Sequence, residues 1–394
     1  MNNRTKSWRE YFENINEKKQ NFKLFIETAY GCHGSCGGCP IPQDLRNSKE
    51  PKIYLEDLSE NLENFSKNLL NFRKSLNFPN VENLAITIGP GENLYFSSSY
   101  LERLAILSKK IAKSISVKNF HLAVTTSGLF SENKVEDKLI ALSKNLDRSE
   151  LSFAFILNPR QFIKTPNIYY NFAKLLFKYS DLVELEINMD NQIHLLTEEE
   201  VKRFCNFINA FNFIQLDFAY AINIGNMSKT YFTQTQFLNF IEKLRSLTFN
   251  NEREFFSQWN RNLKVFPSED FDYKEGFNLN FENIISSHIR LNTMGEWHFA
   301  KNILGTIYYD QTYDFEPVCF SKDNPYSSEN ILKFKRKLTY HYNSILTKHK
   351  PCLDCLYKNA CLSSGFMSYA RFSDKNEEVC SNPGFSIFEK LSIN

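Results

Sequence analysis

Tyr30-Gly31-Cys32-His33-Gly34-Ser35-Cys36-Gly37-Gly38-Cys39-Pro40 is the stretch that decides how this chain is read. Three cysteines fall within it, spaced Cys-x3-Cys-x2-Cys. Gly34, Ser35, Gly37 and Gly38 are small, so the backbone can fold tightly enough to aim three thiolates at one object. The preceding segment, Phe22 to Ala29, reads as a strand, which puts the cysteines on the loop leaving its C-terminal end. Three thiolates leave a fourth metal position open. Structural zinc usually takes four protein ligands in paired Cys-x2-Cys units, and here the fourth would be His33 or a distant residue. From the spacing, an iron–sulfur site and a zinc site both stand.

The bulk composition narrows the classes. A chain of 394 residues accommodates one large α/β domain and a smaller one. A net charge of +2 gives no electrostatic case for nucleic acid or an anionic membrane as partner. No apolar run reaches membrane-spanning length, and the polar start Met1-Asn2-Asn3-Arg4-Thr5-Lys6 leads into no apolar signal region, so a cytoplasmic protein is expected. In a reducing cytosol, nine cysteines are better explained as metal ligands than as disulfides. The 37 phenylalanines read as core filling.

Along the chain, residues 1–21 form a polar lead-in helix. A helix over 54–76 is expected from Leu55, Leu58, Leu62, Phe65, Leu69, Leu70 and Phe72. Strands at 83–88, 120–125, 151–157, 182–187 and 213–221 alternate with helices near 100–115, 136–146, 169–178 and 198–211. That alternation argues for a parallel sheet of right-handed crossovers, a partial (β/α)6 TIM-type barrel with its chemistry at the strands' C-terminal ends. Residues 230–247 read as a closing helix and 250–283 as an irregular linker or insertion. His288 to Asn292 and Ile303 to Tyr309 read as a hairpin-bearing region before a second cysteine cluster. The expected domains are a core at 22–230, a linker or insertion at 231–285 and a small cysteine-rich domain at 286–394.

The cysteine loop resembles the cluster loop of radical S-adenosylmethionine (SAM) enzymes. The resemblance implies that Cys32, Cys36 and Cys39 are catalytic and hold three irons of a [4Fe–4S] cluster, whose fourth iron binds SAM. The second strand ends in Gly89-Pro90-Gly91-Glu92, similar to the family's Gly-Gly-Glu-type turn that holds the SAM amino group. Thr125-Thr126-Ser127-Gly128 looks like the Thr-Asn-Gly ending of strand three, with serine replacing asparagine, and the resemblance implies that Ser127 contacts SAM. Asn158 and Asn188, after strands four and five, stand where polar side chains meet the SAM ribose or carboxylate. An asparagine at a strand end is also an ordinary turn former. Many relatives carry an aromatic residue before the third cysteine, beside the adenine; this chain has Gly38.

Cys352, Cys355, Cys361 and Cys380 resemble four ligands of the SPASM extension of radical SAM maturases, which implies one auxiliary [4Fe–4S] cluster. Gly365 replaces the cysteine that would serve a second auxiliary cluster, and Ala300 stands where an upstream ligand would follow Gly295. Four cysteines also suit a zinc knuckle. Cys319 is a candidate spare ligand, and Cys205, in a helical pattern, reads as a small buried hydrophobe. The resemblance further implies an electron donor such as flavodoxin or ferredoxin, and a ribosomally made peptide or protein as substrate. A small-metabolite enzyme and a non-catalytic iron–sulfur or zinc regulator are the competing expectations. Glu186, Asp217 and Tyr220, near later strand ends, are the acid–base candidates.

Overall fold

A computed structural model of the protein describes residues 20–28, 31–32, 46–47, 53–128, 132–189, 195–211, 215–220, 278, 281–282, 284–299 and 323–348. It has the expected α/β architecture, a partial barrel of parallel strands. Six strands follow one another with intervening helices: β1 (Asn21–Glu27), α1 (Leu55–Ser75), β2 (Asn83–Gly89), α2 (Ser98–Ile115), β3 (Asn119–Thr126), α3 (Glu132–Ser143), β4 (Leu151–Leu157), α4 (Pro159–Lys164), α5 (Pro166–Tyr179), β5 (Val183–Met189), α6 (Glu198–Asn209) and β6 (Gln215–Tyr220). Each of the first five pairs in parallel with the next, so that β6 stands at one edge.

Local signals account for several helix ends. Ser97 caps α2 by accepting from the Tyr100 N–H at 3.1 Å, and Ser116 closes that helix in the left-handed region at φ 60°. Thr197 and Glu200 form a reciprocal capping box on α6. On α1, Leu55, Leu58, Leu62, Phe65, Leu69 and Phe72 are buried, as their spacing predicts. Leu70 lies one residue around the helix from Leu69 and is 37% exposed, so it does not belong to the packed stripe.

The sheet continues beyond β6. After the segment around residues 281–287, β7 (His288–Leu291) joins the free side of β1 in parallel, and β8 (Trp297–His298) turns back against β7. The order is β6-β5-β4-β3-β2-β1-β7-β8. The hairpin expected beyond residue 286 is therefore built from 288–291 and 297–298. The expected pieces at 230–247 and 303–309 lie outside the described residues.

Three contacts hold this distant return. Arg73 near the end of α1 donates to the Pro79 carbonyl and, at 2.8 Å, to the carbonyl of Ser286. Trp297 stacks on Phe65 at 4.6 Å, and Tyr326 stacks on Phe72 at 4.6 Å. The helix α7 (Ser328–Lys348) then packs Phe334 against Phe299 and Phe281. Buried aromatic pairs contribute about 0.5–1.5 kcal/mol each beyond their area. Among the described residues, Phe22, Phe65, Phe72, Phe281, Phe299 and Phe334 are buried in this core.

Alternation separates the two sheet faces. One face presents Leu24, Ile26, Ile86, Ile88, Leu122, Val124, Phe153, Phe155, Leu185 and Ile187, all buried. The register aligns the other face: Lys23, Phe25 and Glu27 on β1, Thr87 and Gly89 on β2, His121, Ala123 and Thr125 on β3, Ser152 and Ala154 on β4, and Glu184 and Glu186 on β5. Much of this second face is half-buried. A closed barrel fills its interior with layers of branched apolar side chains. Here the second face instead carries polar side chains among small ones, and several of them are only partly buried.

Candidate active site at the strand ends

The C-terminal ends of β1, β2 and β3 converge on Glu92. β2 ends at Gly89, which is joined to Pro90 by a cis peptide bond, and Gly91 follows with φ 84°. That backbone conformation favours glycine. A Cβ on Gly89 would lie 2.7 Å from Thr125 Oγ1, so glycine is also required for β2 and β3 to close up at this level. The turn delivers Glu92 into the interior, 3% exposed. Its own N–H donates to the carbonyl of Gly31 at 2.6 Å, tying it to the residue before Cys32. Cys32 is half-buried, and its N–H donates to the Arg46 carbonyl at 2.8 Å.

The Glu92 carboxylate is held unevenly. Oε2 accepts from the Ser127 N–H at 2.6 Å, the Ser127 hydroxyl at 2.5 Å and the Thr126 hydroxyl at 3.2 Å. Oε1 accepts from the Leu94 N–H at 3.2 Å. Burial pushes the pKa up to about 7, and the bonds from Ser127, Thr126 and Leu94 oppose the rise without cancelling it. A buried carboxylate poised in this way favours a cationic partner.

Next to it, Asn93 is fully buried and was not singled out by the sequence reading. It accepts from the Thr28 hydroxyl at 2.6 Å and donates to the Thr125 carbonyl at 3.1 Å. One side chain thus clamps the loops that leave β1, β2 and β3. An asparagine directly after a Gly-Pro-Gly-Glu turn was the available signal, since its short amide can bridge backbone groups on both sides.

A second buried group occupies the same level on the other side of β1. Arg290 of β7 donates to Glu27 Oε1 at 3.0 Å and lies over the Phe25 ring at 4.6 Å. Both ends of the pair are nearly sealed, at 8% and 0% exposure. His298 sits opposite Arg290 and is fully buried; burial and the charge of Arg290 hold its pKa well below the usual histidine range.

The remaining expected residues separate into three groups. Asn158 is buried and caps α4, accepting from the Gln161 N–H at 3.1 Å. Asn188 lies in β5 opposite Ala219, and Glu186 lies opposite Asp217, all near the same end of the sheet. Cys36, Cys39, Cys319, Cys352, Cys355, Cys361 and Cys380 lie outside the described residues. Cys205 is buried on α6, and burial pushes its thiol up to about 11, so it stays protonated and inert. Among the described residues, no three His, Cys, Asp or Glu side chains gather as a metal site, and no helix is long and apolar enough to cross a membrane.

No protein-family model matches the chain, and neither does any curated protein. Solved structures do. The enzyme anSMEcpe with bound AdoMet aligns over 94% of this chain and 96% of its own, at 16% identity and a TM-score of 0.52. The same enzyme with AdoMet and the Cp18Cys peptide aligns over 94% and 95%, at 16% identity and a TM-score of 0.53. Escherichia coli coproporphyrinogen III oxidase (HemN), described as a radical SAM enzyme, aligns at a TM-score of 0.38, too loosely to carry an argument. At these identities the likeness to anSMEcpe establishes the fold.

Proposed function

We propose that the protein is a radical SAM enzyme acting on a ribosomally made peptide or protein. The observation that carries this reading is the convergence of Glu92, Gly31 and the Cys32 loop at the C-terminal ends of the strands of a partial barrel. The residues fit the expected group. A SAM ammonium suits a buried carboxylate with an unfilled acceptor position, and the glycine turn brings backbone close enough to meet it. In this assignment Cys32, Cys36 and Cys39 ligate the SAM-binding [4Fe–4S] cluster. Gly89, Pro90, Gly91, Glu92, Ser127, Asn158 and Asn188 form the SAM pocket. When bound, cluster and SAM supply reductive cleavage of the sulfonium and abstraction of a substrate hydrogen atom.

The chain's own groups orient and shield. Asn93 fixes the three strand-end loops relative to one another. The buried Glu27–Arg290 pair closes the β1–β7 side. Helix-side packing of Leu24, Ile88 and Val124 excludes water from behind the site.

Cys352, Cys355, Cys361 and Cys380 are assigned to one auxiliary [4Fe–4S] cluster within a domain spanning 286–394. Full cysteine ligation suits electron transfer or a structural role over direct substrate binding. A peptide substrate is favoured by the SPASM-like cysteines and by the peptide carried in the anSMEcpe complex. A small-metabolite substrate is the alternative, and a precursor-peptide reading frame beside the gene would decide against it.

Iron and sulfide analysis after anaerobic reconstitution tests the metal assignment. Two clusters require about eight irons and eight sulfides per chain, falling to about four in Cys36→Ala and in Cys352→Ala. Zinc without sulfide would overturn it.

A further inference from the structure

Ser127 was expected to touch SAM directly, yet both of its donors are spent on Glu92. Its N–H and its hydroxyl reach the same oxygen, Oε2, at 2.6 and 2.5 Å, and the Thr126 hydroxyl adds a third bond at 3.2 Å. Thr126 is itself fixed by accepting from the Gly128 N–H at 3.1 Å, at the point where Gly128 takes φ 68°. Oε1 receives the Leu94 N–H alone, at 3.2 Å. A carboxylate oxygen has about two acceptor directions. Oε2 is therefore filled and Oε1 keeps one direction free, inside a site where Glu92 is 3% exposed.

From this asymmetry we infer that Ser127 is a positioning residue for recognition of a ligand's cationic amine: its hydroxyl pins Oε2 so that Oε1 alone is offered to the ammonium. This rests on the reading above that Glu92 holds the SAM amino group. Ser127 acts through Glu92 and need not touch the ligand. Alanine at 127 keeps the backbone bond, loses the hydroxyl, and lets the carboxylate rotate between orientations of which only some leave Oε1 open.

The test compares two ligands on the anaerobically reconstituted protein. SAM carries the ammonium; 5′-methylthioadenosine keeps the adenosyl and sulfur portion and lacks the amino-acid end. Equilibrium dissociation constants are measured for the unmutated protein, Ser127→Ala and Glu92→Gln. Loss of one hydrogen bond to a charged group predicts that Ser127→Ala weakens SAM by about tenfold, with 5′-methylthioadenosine unchanged within about twofold. Equal weakening of both ligands would mean that Ser127 serves the shared adenosyl part or the fold. No weakening of either would mean that the hydroxyl is dispensable. Either result overturns the inference. Glu92→Gln separates the underlying reading: if it leaves the preference for SAM intact, Glu92 does not hold the amine, whatever Ser127 does.

Discussion

The concave face of the sheet carries one polar cluster at each end, and the two differ in kind. At the C-terminal end, Glu92, Glu27, Asn93 and Arg290 are sealed from solvent, and Glu92 is tied to Gly31 beside Cys32. At the N-terminal end, Asn21, Asn83 and Asn119 share one level of the register; the Asn119 amide donates to Asn83 and the Asn83 amide to Asn21, each at 2.6 Å. Just above them, His121 Nε2 lies 2.7 Å from Ser152 Oγ and 3.2 Å from Glu184 Oε1, and the Ser152 hydroxyl donates to Glu184 at 2.5 Å. Residue types alone would flag this Ser-His-Glu group as nucleophilic. Its geometry does not, because serine and glutamate crowd the same ring nitrogen and the serine proton already goes to the glutamate.

The comparison teaches what marks a site in this fold. Polar density is similar at both ends. What distinguishes the upper end is buried charge with an acceptor position left open, next to the residue pair Gly31-Cys32. The lower end is self-satisfied: its charges face one another and water, with His121 and Glu184 about a third exposed. Strand C-terminal ends carry function and the opposite end carries stability in parallel barrels generally.

The largest effect that would break this contrast is expected at Arg290. Arg290→Met leaves Glu27 charged and buried beside Phe25, and should cost about 3–5 kcal/mol in urea unfolding. Adding Glu27→Gln should recover much of that loss. A cost below about 1 kcal/mol, the value of an exposed pair, would show that the upper end is no more buried in solution than the lower.

Glu92→Gln comes next. Replacing the charge should weaken SAM binding by about a hundredfold, within the usual 2–5 kcal/mol for a desolvated charge pair. His121→Phe at the other end should leave that affinity within about twofold.

Gly89→Ala sharpens the steric side of the argument. Its Cβ would meet Thr125 Oγ1 at 2.7 Å, and overpacking of this kind costs about 1–3 kcal/mol. Thr125→Ala in the same chain removes the opposing atom, so the double variant should be more stable than Gly89→Ala alone. Additive losses in thermal melts would contradict the close approach.

The smallest effect is a pH dependence at the lower end. The hydrogen bond that His121 makes to the Glu184 carboxylate raises the His121 pKa above its ordinary 6.5. Burial would raise Glu184, but the bonds from His121 and Ser152 outweigh it and lower its pKa below 4.5. The raised histidine stabilises fully below pH 6.5 and loses its contribution as pH climbs through the folded value. The lowered glutamate stabilises above pH 4.5 and loses its contribution as pH falls through its folded value. Their joint contribution therefore peaks between these limits, and partial exposure keeps it below about 1 kcal/mol. His121→Phe should flatten the alkaline side of the stability profile, and an unchanged profile would remove the ion pair from the account.

Much of this organisation is legible in the residues. Period-2 and period-3.6 patterns locate the six parallel strands and the main helices between them, because each buries its own apolar face locally. The Gly-Pro-Gly-Glu turn stands out through its glycines. What escapes is set by distance. β7 pairs with β1 across more than 260 residues, and nothing in His288–Leu291 names its neighbour. Asn93 looks like any turn asparagine until Thr28 and Thr125 are brought to it. Ser127 reads as a ligand contact by analogy, and only the fold reveals that its hydroxyl is committed to Glu92. The cysteines other than Cys32 and Cys205 rest on their spacing, since they lie outside the described residues.

Formation of 5′-deoxyadenosine tests the central claim most directly. The anaerobically reconstituted protein is mixed with dithionite and SAM, and the products are separated by chromatography. The account predicts 5′-deoxyadenosine from the unmutated protein and from His121→Phe, none from Cys36→Ala, and far less from Glu92→Gln at limiting SAM. A protein that loads its clusters fully and binds SAM, yet yields no 5′-deoxyadenosine with or without candidate peptides, would contradict it.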